Sequence, residues 1–170
     1  MRKLFINFDS CEMISKVYNI QLFEEATRKF LKNRIRKYIT TLIIDVIYRH
    51  PEDTSTNGWF YIDQKNVAHI QIFVENIENN LDSNDKICAK IFRTLLHEIG
   101  HFVSFSKFAK KHSDEIKISD LYKYFIREQA EIEEKFTINS FEFADWYRNN
   151  PEEQRAELYA WKYIDEFMNI

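Results

Sequence analysis

Two glycines and two prolines among 170 residues leave little material for the turns of a many-stranded β sandwich, and none for a long flexible linker. The two cysteines, Cys11 and Cys88, form neither a CxxC pair nor a disulfide framework, and read as reduced core thiols. No apolar run approaches the length of a membrane span, and the N-terminal MRKLFINFDSCEM holds too short an apolar stretch for a secretory leader. A soluble, cytoplasmic protein with no membrane partner is therefore expected. Net charge is also small, at −3. One basic run, RKFLKNRIRK at 28–37, stands out, and the last forty residues are rich in Glu and Asp. Without interleaved stacking residues or an overall positive charge, the basic run reads as a solvated helix face, and nucleic acid is not expected as a partner.

What the chain has in quantity is apolar and charged residues, 45% and 30%, with 16% aromatic. That is the composition of one mostly helical domain, 1–170, with a sizeable core. QLFEEATRKFLKNRIRKY, 21–38, spaces Leu22, Ala26, Phe30, Ile35 and Tyr38 as an amphipathic helix does. TTLIIDVIYR, GWFYID and AHIQIFVENI read as three strands of a small antiparallel sheet, the first closed by His50-Pro51 and EDTSTNG. A helix is predicted from Ser83, with Ser83 or Asp82 as its cap, to about Lys107. After the polar KKHSDEIKIS, further helices are predicted over 119–135 and from Asn150-Pro151. The order is that of an α+β domain, with the small sheet packed on the long helix.

That long helix carries LLHEIGHFV, 95–103. Histidines four residues apart project about 40° from each other on a helix, so His97 and His101 can meet one metal ion. Glu98, next to the first, can take a proton from water held there. This is the HExxH arrangement. Helical angles place Cys88, Ile91, Phe92, Leu95, Ile99, Phe102 and Val103 on the side away from the histidines, which share theirs with Lys90, Thr94 and Ser104. The histidines are thus expected to face a cleft, with something approaching closely at Gly100.

A third ligand is needed. His112 follows at the wrong spacing for a metzincin. In the last helix, PEEQRAELYAWKYIDEF, the residues Glu153, Ala156, Glu157, Ala160, Ile164 and Phe167 share one stripe, opposite Arg155, Lys162 and Glu166. Two carboxylates on an otherwise apolar, small-residue face want a cationic partner, and a metal ion or a metal-bound histidine is one. Ala156 and Ala160 would let this helix approach the motif helix.

With HEIGH and EQRAELYA in that order, the chain resembles the ImmA/IrrE family of metallopeptidases, whose late helix carries an ExxA(N/D)xxA pattern. The resemblance implies a gluzincin-like Zn2+ site with Glu153 as third ligand, and Glu157 in the supporting place usually held by Asn or Asp. The longer Glu at 157 leaves Glu157 open as the ligand itself. The separation of His101 from Glu153 exceeds the family's usual one, as if 119–135 and TINSFEFADWYRNN were inserted; Glu128 and Glu131, in that stretch, read as a charged solvated face. The resemblance further implies a zinc endopeptidase of phages or mobile elements that cuts a specific intracellular protein, commonly a helix-turn-helix repressor, with Glu98 as general base. Tyr159 and Tyr124 are candidate oxyanion donors, and a sheet edge could hold an extended substrate segment. The competing reading keeps the fold without proteolysis, as a binding protein that inhibits a host factor.

Overall fold

A computed structural model of the chain describes residues 3–9, 20–32, 41–49, 56–79, 81, 83–112, 117–125 and 149–169. Cys11, the part of the basic run beyond Lys32, and Glu128 and Glu131 lie outside these residues.

The sheet has four strands, β1 (Lys3–Phe8), β2 (Thr41–Ile47), β3 (Gly58–Ile62) and β4 (Ala68–Phe73), in the order β1-β2-β4-β3. It is mixed, which corrects the expectation of three antiparallel strands: β1 pairs parallel with β2, β2 pairs parallel with β4, and only β3 and β4 run antiparallel. Two causes account for this. The chain passes from β1 to β2 by way of helix α1 (Ile20–Leu31), a crossover that returns the strand in the same direction. β3 lies two strand positions from β2, and the β3–β4 hairpin folds β4 into the space between them. β4 suits that central position, because Ala68, Ile70, Ile72 and Phe73 are all fully buried. β1 itself was not foreseen, since its alternating burial spans only six residues.

The hairpin turn is built by Asp63, whose carboxylate accepts from the backbone N–H groups of Lys65 and Val67, and by Asn66 at φ 62°. AHIQIFVENI does not stay extended. At Phe73 the alternation gives way to buried Val74 and Ile77 three apart, and a short helix α2 (Val74–Glu78) follows, tied to the chain after β2 by Arg49 gripping Glu75.

Helix α3 (Asn84–His112) starts where predicted, with Ser83 Oγ accepting from Lys86 N. It runs past Lys107, because Ala109 is buried and Phe108 packs on Phe125 and His112. Its basic last turn, Lys110 to His112, suits the negative helix end. A further helical segment, 118–125, sends Tyr122 inward, where its hydroxyl donates to the Phe60 carbonyl at 2.8 Å. Helix α4 (Pro151–Met168) begins at the predicted place: Asn150 caps it, accepting from Glu152 N, and Pro151 occupies the first position.

α3 lies between β3 and β4 on one side and α4 on the other. One hydrophobic cluster joins Phe23 and Phe30 of α1, the inward residues of the sheet, Ile91 to Phe105 of α3, and Phe167 of α4. The exposed side of α1 carries Arg28, paired with Glu24 and donating to the Leu4 carbonyl, so the described part of the basic run is a solvated face. Cys88 is half-buried at the edge of the core.

Candidate metal centre

The site forms at the seam between α3 and α4. Both chain glycines border α3, and each marks a contact that a side chain would block. A Cβ on Gly100 would lie 2.7 Å from Ala156 Cα, so the two helices touch backbone to backbone there. Ala156 and Ala160 are fully buried, as the small-residue stripe required.

That contact brings the first turn of α4 over the histidine face of α3. The rings of His97 and His101 meet edge to face, and their Nε2 atoms are 3.1 Å apart. Glu153 closes a triangle, with Oε2 3.1 Å from His97 Nε2 and Oε1 3.5 Å from His101 Nε2. Ligands at about 2.0–2.1 Å from a tetrahedral zinc are separated by about 3.4 Å, so the three contacts match the edges of such a site. These three residues offer ligand atoms that all lie within 4.8 Å of one another. Their side chains are only 15–19% exposed, which keeps the cluster shielded. The donor set, two imidazoles and a carboxylate, fits zinc.

Glu157, four residues further along α4, sits on the other side of His97. Its Oε2 is 3.4 Å from His97 Nδ1, and its Oε1 is paired with Arg93. Of the two carboxylates that the sequence leaves open, Glu153 thus faces both Nε2 atoms, and Glu157 backs the first ring. Burial opposes protonation of His97, yet the hydrogen bond to Glu153 and the charges of Glu98, Glu153 and Glu157 outweigh it and raise its pKa. Burial likewise pushes the Glu157 carboxyl up, but Arg93 and His97 hold it below the usual range.

Glu98 points from α3 toward the edge strand. It is 6% exposed and has no hydrogen-bond partner among the described residues, an expensive state for a carboxylate. Burial raises its pKa above the usual range, against the pull of His101 and His97. The room it occupies is left by Gly58 at the start of β3: a Cβ there would come 2.7 Å from Thr94 Cγ2 and 3.0 Å from Glu98 Oε1. The buried Tyr122 phenol is raised too, first by burial and then by the nearby Glu98 charge.

Other candidates fall elsewhere. His112 ends α3, exposed, its ring tilted against that of Phe108. Tyr124 is 56% exposed, and Tyr159 packs its ring on Tyr163. Reading by sequence passed over Arg93 and Gly58. Arg93 precedes His97 by one helical turn and so shares its face; Gly58 is one of only two glycines, the available sign of a close approach. Ser104, which helical angles place on the histidine side, donates to the buried Glu152 at 2.6 Å and ties α3 to the start of α4.

The family model of zincin-like metallopeptidases matches residues 21–114, from α1 through the end of α3. Glu153 and the rest of α4 lie beyond that match. No curated protein and no solved structure matches the chain significantly.

Proposed function

We propose, since the chain belongs to the zincin-like metallopeptidase family, that it is a zinc-dependent endopeptidase acting on a specific intracellular protein. The observation that carries this is the convergence of His97, His101 and Glu153 beside a buried carboxylate, Glu98. His97 Nε2, His101 Nε2 and the Glu153 carboxylate would hold the ion. Zinc bound there supplies Lewis acidity, which makes water acidic near neutral pH and polarises a carbonyl. Glu98 then takes the proton of the attacking water and passes it to the leaving amine. Its raised pKa suits a group that must both accept and release a proton. Family membership and the retained Glu98 favour the peptidase over a binding-only protein.

β3 is an edge strand whose first residue adjoins Glu98, so an extended peptide added along it would pass the site. A helix-turn-helix repressor as substrate, and a phage or mobile-element setting, rest on the resemblance of HEIGH and EQRAELYA to the ImmA/IrrE pattern.

Metal content by mass spectrometry tests the site. One zinc per chain is expected in the wild type, lost in His97→Ala and Glu153→Ala but present in Glu98→Gln. With a candidate repressor as substrate, Glu98→Gln should cut more slowly by about 10²- to 10⁴-fold, the usual worth of a general base. A wild-type protein that takes up no metal under metal-replete conditions would sink the proposal.

A further inference from the structure

We infer that Arg93 is a positioning residue of the metal centre, acting through Glu157 to set the orientation of His97. This rests on the metal-site reading above and goes beyond it in assigning Arg93 a part.

The geometry is a relay across the two helices. Arg93 and His97 stand one turn apart on the same face of α3. Glu157, reaching from α4, stands between them: Oε1 is paired with the Arg93 guanidinium and Oε2 lies 3.4 Å from His97 Nδ1. Arg93 is held from its other side as well. Its guanidinium carbon lies 4.4 Å from the centre of the Trp161 ring, one turn beyond Glu157 on α4. The planar cation is thus gripped between a carboxylate and an aromatic face.

Three consequences follow for the histidine. When Nε2 serves as a ligand the ring proton sits on Nδ1, facing the Glu157 carboxylate, which holds the ring with Nε2 directed at His101 and Glu153. Occupying Oε1 with Arg93 also keeps Glu157 from swinging round to compete with Glu153 as a ligand. Finally, a carboxylate hydrogen-bonded to the outer nitrogen raises the basicity of the inner one. A lysine would supply charge but not the flat surface that rests on Trp161.

The test measures zinc affinity by competition with a chromophoric chelator, and the His97 Nδ1–H contact with Glu157 by its ring proton shift in the zinc-loaded protein. Arg93→Met is expected to weaken zinc binding by about 10- to 100-fold, the usual effect of losing support behind a metal-bound histidine. The Nδ1–H proton of His97 should shift upfield as its contact with Glu157 loosens. Arg93→Lys should recover part of the affinity, and Trp161→Ala should fall between wild type and Arg93→Met. Glu157→Gln combined with Arg93→Met should be no weaker than the worse single variant, because both break one relay. Wild-type zinc binding with unchanged affinity and Nδ1–H shift in Arg93→Met would overturn this inference alone. Absence of zinc from the wild type would overturn the metal-site reading with it. If Arg93→Met does not fold, the Arg93→Lys and Trp161→Ala pair carries the same comparison, and unchanged affinity in both would overturn it.

Discussion

Gly100 shows how much can depend on a missing side chain. Replacing a helix-interior glycine by alanine ordinarily stabilises by about 1 kcal/mol. Here the added Cβ would fall 2.7 Å from the backbone of Ala156, which cannot rotate away. Gly100→Ala is therefore expected to destabilise by about 1–3 kcal/mol, the usual cost of overpacking, as read from urea unfolding. A gain in stability would show that α3 and α4 are not in backbone contact. At this scale much of the site was legible. His97, Glu98 and His101 fall within about one helical turn, so helix geometry alone decides that the histidines share a face and that Glu98 leaves it. Arg93 was not legible, because an arginine on a charged helix looks like any solvated residue until Glu157 and Trp161 are seen around it.

The β3–β4 hairpin gives a pH signature at the scale of an element. Burial pushes the Asp63 carboxyl up, but hydrogen bonds from Val67 N, His69 and Lys65 N outweigh this and hold its pKa below the usual range. A depressed folded-state pKa means that the carboxylate stabilises the fold above the ordinary carboxylate range, and that this contribution is lost as pH falls through the folded value. Asp63→Ala should melt below the wild type at neutral pH, and the gap should close as the solution is acidified below about pH 4. A gap that persists at low pH would mean that the turn does not depend on the ionised form. Among elements, α4 was readable to the residue from Asn150-Pro151, since a cap followed by proline is a local signal. The end of β4 was not, because Phe73-Val74 is apolar on both sides of the boundary and only burial distinguishes the strand from α2.

For the molecule as a whole, the metal centre joins α3 to α4, so zinc should act as a staple between them. Binding to the folded state alone stabilises by mass action, about 2.7 kcal/mol at a free concentration of 100 Kd. The thermal midpoint should therefore rise with added zinc and fall with a chelator, and this dependence should vanish in His97→Ala. A midpoint indifferent to zinc in the wild type would count against a folded-state site. Sequence by itself determined the motif pair and its base, the amphipathic faces of α1 and α3, and the cap and small-residue stripe of α4. Each is a matter of neighbours within one or two turns, where backbone geometry leaves no alternative. Tertiary structure decided the rest: the parallel pairing that placed β4 at the centre of the sheet, the glycine of β3 that makes room for Glu98, and which of Glu153 and Glu157 faces both histidine Nε2 atoms. These are contests between surfaces far apart in the chain, and packing, not spacing, settles them.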